Sequence, residues 1–312
     1  MILNFCSYFD KNYISKFLVL FSSLNKFEFE FKFYVLALDV EVEEFFKTNP
    51  NTKIEVIRIK DLEAKYVELL EAKKNRSLIE YYFTLSPFLP RYVNLIYKIH
   101  DLSYLDSDFY FLKNPKQLIE RNLDSSIVLI KQFSNPKFGL YNVGWIRFNF
   151  EFDETKIILE KWSKQCLNSC FDVAKNNLYA DQKYLDDWPS ELKFVRILYP
   201  EYTNLSPWDS NLNIERNLDN SLSFHFHGLV LKKNYFISGF HKYNKKVPNK
   251  VLQKLYYPYI NNLLKIEKKF KIKTDTIRNK LDSDKFELIK SFKILNSGLK
   301  TFLFNDKHKI TE

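Results

Sequence analysis

The sequence has few glycines and lacks the glycine-rich motifs that mark many nucleotide-binding proteins. Only 5 of the 312 residues are glycine, and neither G-x-G-x-x-G nor G-x-x-x-x-G-K occurs. The scarcity of glycine argues against a glycine-rich dinucleotide-binding fold and against a repeat architecture. If the chain binds a nucleotide, it must do so by other means.

Long apolar runs and paired cysteines are missing as well. No run is long enough to span a bilayer, and the first residues lack the basic start and apolar stretch of a signal peptide. We therefore expect the chain to stay in the cytoplasm. Cys6, Cys166 and Cys170 are odd in number and have no zinc-site spacing, which predicts reduced thiols in packed positions.

Apolar and basic residues are abundant, but the basic ones are unevenly distributed. The hydrophobic content of 46% is ample for a sizeable core. Residues 229–312 carry 20 Lys and Arg against 7 Asp and Glu, whereas residues 1–228 have a net charge of −3. We predict a compact domain over residues 1–240 and a basic, helical C-terminal appendage over residues 241–312.

Strand and helix patterns alternate through the first half of the chain, which predicts an α/β fold with a mostly parallel sheet flanked by helices. A helix capped by Asp61 is expected to continue to Leu70, and another to run from Phe152 to Asn176. Two helices are expected between Arg76 and Tyr97, with a break at Ser86-Pro87. Strands are expected at residues 1–8, 31–38, 53–59, 99–105, 126–130, 141–148 and 193–197.

Two carboxylates follow one of these strands. The apolar segment that ends at Leu105 leads directly into Asp106-Ser107-Asp108. In an open α/β sheet, ligands bind at the C-terminal edge of the strands, and carboxylates spaced i, i+2 can address one hard divalent cation, which in turn holds a diphosphate. The alternative is an ordinary polar turn, because Asp and Ser are common in turns.

Four short motifs in order, LDSD, YNVG, ADQ and HFHG, resemble those of nucleotide-sugar-dependent glycosyltransferases of the GT-A fold. The similarity is closest to bacterial nucleotide-diphospho-sugar transferases and more distant to glycogenin and the lipopolysaccharide galactosyltransferases. It covers most of residues 1–231, because RSLIEYYFTLSP, NVGWIRF, DQKYLDDWP and NLSPWD also fit that pattern. The C-terminal appendage matches no family.

The resemblance implies a metal site formed by Asp106, Asp108 and His225, the first histidine of HFHG. Carboxylates suit Mn²⁺ or Mg²⁺, and an added imidazole favours manganese. His227 lies two residues further along. If the segment is extended, His227 should be unable to reach the same ion, although a loop conformation would allow it.

The resemblance also implies residues for the nucleotide. It points to Ser7 and Tyr8 at the end of the first strand and to Arg76. An aromatic ring can stack on uracil, and a guanidinium can bind a phosphate through two hydrogen bonds. The alternatives are that Tyr8 is one of many core tyrosines and Arg76 a solvated helix residue.

The remaining implied residues concern the sugar. Asn142 offers an amide to sugar hydroxyls, and Gly144 lets the backbone approach closely. Asp181 is expected to bind sugar or acceptor hydroxyls, and Gln182 to lie beneath the anomeric carbon. Asp181 could equally be an ordinary acid at a helix N-terminus.

The resemblance therefore implies a metal-dependent transfer of a sugar from a nucleotide-diphosphate sugar, with UDP expected, to a glycan or lipid-linked acceptor. Surface polysaccharide or lipopolysaccharide synthesis and retention of the anomeric configuration are part of this expectation. A nucleotidyltransferase is the alternative enzyme. A nucleic-acid-binding protein that uses the basic tail is the alternative of another class, but the compact region is slightly acidic and we expect no nucleic acid.

The tail itself allows two interpretations. Its lysines, from Lys242 to Lys273, are interleaved with apolar residues from Leu252 to Ile266. Such helices can lie on an anionic membrane surface, which would place the enzyme peripherally at the inner face of the membrane. The same apolar residues could instead pack on the sheet domain or form a dimer.

Overall fold

The structure is a computed structural model that describes residues 1–209, 212–232, 235–243, 245–272 and 307–310. Its strands in chain order are β1 (Leu3–Phe9), β2 (Phe31–Ala37), β3 (Ile54–Arg58), β4 (Asp101–Leu105), β5 (Phe109–Phe111), β6 (Ile127–Lys131), β7 (Tyr141–Asn149), β8 (Val195–Leu198), β9 (Asn204–Leu205), β10 (Ser223–His225), β11 (Val230–Leu231), β12 (Tyr235–Ile237) and β13 (Lys307–Lys309).

The helices alternate with the strands in the first half of the chain. They are α1 (Ile14–Leu24), α2 (Val40–Thr48), α3 (Ile59–Lys65), α4 (Leu69–Asn75), α5 (Leu78–Thr84), α6 (Phe88–Tyr97), α7 (Lys116–Glu120), α8 (Asp153–Asn168), α9 (Trp188–Glu191), α10 (Ile214–Asn217), α11 (Asn249–Val251) and α12 (Tyr257–Phe270), with a π-helical segment at Leu252–Tyr256. Short 3-10 helices occupy Lys11–Tyr13, Pro136–Phe138, Gln182–Asp187, Pro207–Asp209 and Phe240–Tyr243.

A seven-stranded sheet in the order β3-β2-β1-β4-β7-β6-β8 forms the centre of the molecule. β1 pairs in parallel with β2 and with β4, β2 with β3, and β6 with β8. Only β7 runs the other way, between β4 and β6. The predicted mostly parallel α/β sheet is confirmed, and the ends of β1 and β4 lie at the same edge.

Helices cover both faces of this sheet. Along β1, Phe5 and Phe9 belong to one apolar cluster with Phe17 of α1, whereas Cys6 belongs to another with Trp162 of α8. This alternation follows from the two-residue period of a strand. The three cysteines are buried free thiols, as predicted.

Two predicted helix boundaries are wrong. α8 ends at Asn168 rather than at Asn176, and the segment that follows is irregular. Asp61 does not begin a helix: α3 starts at Ile59, and Asp61 instead accepts two hydrogen bonds from the Arg58 guanidinium, at 2.8 and 2.6 Å. By contrast, the predicted break at Ser86-Pro87 is confirmed, between α5 and α6.

The first part of the basic C-terminal segment packs on the rest of the protein. Tyr259, Ile260 and Leu263 of α12 are fully buried in one apolar cluster with Val19 of α1 and Phe226. These side chains belong to the apolar set that could have faced a membrane, so packing on the sheet domain accounts for them. Residues 273–306 lie outside the described residues, and the domain boundary at residue 240 stays a prediction.

Among the described residues, no helix combines the length and the apolar character that crossing a bilayer requires.

Candidate active site

The Asp-Ser-Asp segment forms the turn between β4 and β5. The N–H of Asp106 donates to the carbonyl of Gly144 on β7 at 2.9 Å, and the N–H of Phe109 donates back to Asp106 O at 3.3 Å. Asp106 is partly exposed at the sheet edge, whereas Ser107 and Asp108 are buried. The strand therefore delivers two carboxylates to its C-terminal edge, as the sequence predicted.

A small second sheet brings His225 to these carboxylates. β10 pairs antiparallel with β5, so that His225 lies opposite Phe109, and the N–H of Phe226 donates to the carbonyl of Asp108 at 2.9 Å. The imidazole packs against the ring of Phe109, with 4.5 Å between the ring centroids. Main-chain pairing thus fixes where this side chain lies.

Asp106, Asp108 and His225 form one cluster. His225 Nε2 lies 2.9 Å from Asp108 Oδ1 and 3.7 Å from Asp106 Oδ2. One oxygen or nitrogen atom from each residue lies within 4.8 Å of the other two. Such a compact O, O, N set matches the ligands expected for a divalent cation.

Burial and mutual charge set the electrostatics of the cluster. Burial raises the pKa of Asp106, and the nearby carboxylate of Asp108 adds to the effect. Burial also opposes the charge of Asp108, but the imidazole of His225 outweighs it and holds the pKa of Asp108 well below its usual range. Burial opposes a charge on His225 too, yet the two carboxylates raise its pKa. The cluster is therefore a place where positive charge is stabilised.

Gly144 lets three polar side chains lie close to the backbone of β7. A Cβ atom at this position would lie 2.7 Å from Asn142 Oδ1, 2.8 Å from Asp106 Oδ2 and 3.0 Å from His225 Cε1. Among the described residues, the buried Oδ1 of Asn142 has no hydrogen-bond partner. An unsatisfied oxygen beside Asp106 and His225, two of the three candidate ligands, fits a bound metal and its ligand.

Asp181 belongs to a second polar group on the same edge. It is 5% exposed, and burial raises the pKa of its carboxyl to about 7. Its side chain makes no capping hydrogen bond to the 3-10 helix that follows, so helix capping does not explain it. Nearby, the Tyr8 hydroxyl lies 3.0 Å from Ser86 Oγ, and the Tyr104 hydroxyl donates to Asp106 Oδ1 at 2.7 Å.

Both polar atoms of the Gln182 side-chain amide form hydrogen bonds with the backbone. Its Oε1 accepts from the N–H of Val143 at 3.2 Å, and its Nε2 donates to the carbonyl of Phe138 at 2.8 Å. Asn142 Nδ2 approaches the same oxygen at 3.5 Å. The structure therefore joins Asn142, Gly144 and Gln182 in one neighbourhood, with Asp181 adjacent in the chain.

Two predicted nucleotide ligands are placed elsewhere. Ser7 is fully buried on the face of β1 that carries Phe5 and Phe9, opposite to Tyr8, so it has no open side for a nucleotide. The guanidinium of Arg76 makes four hydrogen bonds inside the chain, including two to the carbonyls of Cys166 and Leu167 at the end of α8. Those contacts occupy most of its five N–H donors, which argues against the predicted phosphate contact.

His227 does not join the ligand cluster. The three residues whose ligand atoms converge are Asp106, Asp108 and His225, within the part of the chain that the structure describes. Burial, together with Lys242, lowers the pKa of His227 to about 3, and its ring lies 5.1 Å from that of Trp208. The prediction that only the first histidine reaches the carboxylates agrees with this geometry.

Sequence reasoning missed several residues near the cluster. Lys16, in the first turn of α1, lies 3.7 Å from Asp108 Oδ2 and 4.0 Å from the ring centroid of Tyr13, an aromatic that is 38% exposed. Asp209 is fully buried, and burial raises its pKa to about 7. A signal for Lys16 was available: a lysine near a helix N-terminus is disfavoured by the helix dipole and therefore suggests another role.

No protein-family model matches the chain. It is 26% identical over 280 residues to the uncharacterized protein YfnD of Bacillus subtilis (strain 168), which covers 83% of this chain and 88% of that protein. It is also 26% identical over 202 residues to the uncharacterized protein YfnF of the same organism, covering 60% of this chain and 65% of that one.

Solved structures with a similar fold are glycosyltransferases. Mouse xyloside xylosyltransferase 1 in its apo form shares 16% identity with a TM-score of 0.51, covering 73% of this chain and 98% of that one. The galactosyltransferase LgtC, in complex with donor and acceptor sugar analogs, shares 16% with a TM-score of 0.50, covering 72% and 87%. GlyE of Streptococcus pneumoniae TIGR4 shares 15% with a TM-score of 0.52, covering 86% and 64%. The chain has the GT-A glycosyltransferase fold.

Proposed function

We propose that this protein is a metal-dependent glycosyltransferase that uses a nucleoside-diphosphate sugar as donor. The observation that carries this proposal is the cluster of Asp106, Asp108 and His225 at the end of β4, in a fold shared with glycosyltransferases. Gly144 supports it, because a Cβ atom there would lie 2.8 Å from Asp106 Oδ2 and 3.0 Å from His225 Cε1 and would displace these side chains.

Asp106, Asp108 and His225 would hold the metal through one atom each. A divalent cation here supplies positive charge that stabilises the departing diphosphate. We propose manganese, with magnesium as the alternative, because the set combines two carboxylates with one imidazole. The hydroxyl of Tyr104 orients Asp106 by donating to its other oxygen, Oδ1, at 2.7 Å.

The aromatic side chains at the end of β1 suggest how the nucleoside is held. The ring of Tyr8 packs against that of Tyr104, with 5.5 Å between centroids, and its hydroxyl faces Ser86. Tyr13 is more exposed than Tyr8, and it lies beside the cluster of Asp106, Asp108 and His225. We therefore propose that the ring of Tyr13 stacks on the base and that the more buried Tyr8 lines the inner side of the donor site. A uridine nucleotide is the proposed donor.

Asp181, Gln182 and Asn142 are the proposed sugar-binding residues. A buried carboxyl with no capping role can accept or donate hydrogen bonds to sugar hydroxyls, depending on its protonation. The amide of Gln182 is held at both ends by the backbone, which keeps it in one orientation toward the reacting centre. We propose that Asn142 Oδ1, which has no hydrogen-bond partner among the described residues, accepts from a donor-sugar hydroxyl.

The finer parts of the proposal concern outcome and acceptor. We propose retention of the anomeric configuration and transfer to a glycan or lipid-linked acceptor in surface polysaccharide synthesis. Both parts rest on the resemblance of the motifs. The anomeric outcome is measured by nuclear magnetic resonance of the fresh product, and an inverted product would contradict it.

The decisive experiment compares Asp108→Asn with Asp61→Asn in a UDP-sugar hydrolysis assay with Mn²⁺. Asparagine keeps the size of Asp108 and a hydrogen-bonding partner for His225 but removes the metal-binding charge, so turnover should fall by at least about 100-fold with the fold retained. Asp61 is a matched control because its carboxylate serves only a surface pair with Arg58. Wild-type turnover by Asp108→Asn would rule out the metal assignment.

A further inference from the structure

Lys16 places a second cation beside the proposed metal site. Its Nζ lies 3.7 Å from Asp108 Oδ2, whereas His225 Nε2 lies 2.9 Å from the other oxygen, Oδ1. The carboxylate of Asp108 thus lies between an ammonium and an imidazole that approach different oxygens. Only one of these groups, His225, belongs to the converging ligand set.

The ammonium of Lys16 is poorly satisfied where it lies. Its side chain is only 15% exposed, and its one ion pair within the described residues, at 3.7 Å, is longer than a hydrogen bond. An ammonium carries three N–H donors, and burying it without partners is costly. The Tyr13 ring, whose centroid lies 4.0 Å from Lys16 Nζ, stabilises part of the charge. A mostly buried ammonium with so few partners can bind an anion.

The location of Lys16 on α1 supports this interpretation. It is the third residue of α1, which begins at Ile14. A cation in the first turn of a helix is disfavoured by the dipole, so Lys16 does not serve helix stability.

We propose that Lys16 is a phosphate-binding residue whose ammonium binds the diphosphate of the donor beside the metal at Asp108. It would neutralise the oxygens that the metal does not reach, both in the bound donor and in the departing nucleoside diphosphate. This inference rests on the proposed function for the identity of the nucleotide. We expect a preference for a diphosphate over a monophosphate, because the proposed metal and the Lys16 ammonium would place two positive charges side by side.

The test measures binding of UDP, UMP and inorganic pyrophosphate by titration calorimetry with Mn²⁺ present. Lys16→Gln should weaken UDP and pyrophosphate binding by about tenfold or more, and UMP binding by less than about threefold. Lys16→Arg, which keeps the charge, should stay within about threefold of wild type. Lys11→Gln is the matched control, because Lys11 precedes the same helix but is exposed and paired with Glu41.

The affinity for Mn²⁺ alone separates phosphate binding from a structural role. Removing a cation near Asp108 relieves repulsion of the metal, so Lys16→Gln should bind Mn²⁺ as tightly as wild type or more tightly. If Lys16 only positions Asp108, the same variant should bind Mn²⁺ less tightly, and this result would overturn the proposal. Equal losses for UMP and UDP, or no loss for pyrophosphate, would overturn it too.

Pyrophosphate distinguishes this inference from the proposed function. Wild-type protein that binds pyrophosphate through Lys16 but turns over no nucleotide sugar would refute the glycosyltransferase and leave the phosphate site standing. Wild-type protein that transfers sugar, together with a Lys16→Gln variant that binds pyrophosphate normally, would refute only the role of Lys16. Wild-type protein that binds no pyrophosphate would also refute it.

Discussion

Gly144→Ala should damage the proposed metal site with only a modest loss of stability. The φ angle of Gly144 lies outside the left-handed range, so alanine fits the backbone of β7. The added methyl would nevertheless lie 2.8 Å from Asp106 Oδ2 and 3.0 Å from His225 Cε1. Ordinary van der Waals contact begins at 3.4 Å, so the carboxylate oxygen must move by roughly 0.6 Å. Metal sites tolerate only about 0.2 Å in each ligand distance.

The expected effect is a loss of Mn²⁺ affinity of about tenfold to 100-fold, and a loss of kcat/KM of about 100-fold or more. Mn²⁺ binding is measured by electron paramagnetic resonance of the free ion, and turnover by release of the nucleoside diphosphate. Val143→Ala is the matched control. It removes a buried side chain from the same strand, but that side chain packs in the apolar cluster with Trp162 and not on the ligand atoms.

Thermal unfolding in EDTA measures the stability of each variant without metal. This control is needed because overpacking and cavity formation each lower the free energy of unfolding by about 1–3 kcal/mol. We expect both variants to melt somewhat below wild type, and only Gly144→Ala to lose metal. If Gly144→Ala binds Mn²⁺ within about threefold of wild type, the ligand atoms do not converge as described. If Val143→Ala loses Mn²⁺ equally, the loss follows from instability and not from the methyl group.

Two further predictions concern the same edge of the sheet. His225→Ala should weaken Mn²⁺ binding by about tenfold or more, and His227→Ala by much less; equal losses would show that both act through structure. Asp181 has a pKa raised from an unfolded value of about 3.9 to about 7, so the cost of its ionisation accumulates as pH rises through this window and is complete above it. In EDTA, the melting temperature of Asp181→Asn relative to wild type should therefore rise by a few degrees from about pH 4 to about pH 8. A difference independent of pH would contradict the raised pKa.

The fold was predictable where local patterns decide it. β4 and the carboxylates after it follow from an apolar run that ends in Asp-Ser-Asp. The break between α5 and α6 follows from the restriction that Pro87 imposes on Ser86. The end of α8 was not predictable in this way, because Arg76, distant in sequence, binds the carbonyls at its terminus.

The site was predictable only in part, for a related reason. Sequence motifs identify Asp106, Asp108 and His225, because carboxylates and imidazoles are common metal ligands. Ser7 shows the limit, since its register on β1 and not its polarity decides which face it occupies. Lys16 was missed because its contact with Asp108 depends on how α1 packs; its position near a helix N-terminus is a local signal of a special role but does not identify Asp108 as its partner.

The pairing of β5 with β10 makes the site a product of long-range folding. Asp106 and Asp108 immediately precede β5, but His225 lies on β10, which is synthesised after most of the compact region. Contacts between segments so distant in the chain form slowly, because loop closure must precede them. A nascent chain therefore carries two of the three proposed metal ligands until β10 pairs with β5. Metal binding would then report that β5 and β10 have paired, and its time course could be used to follow refolding.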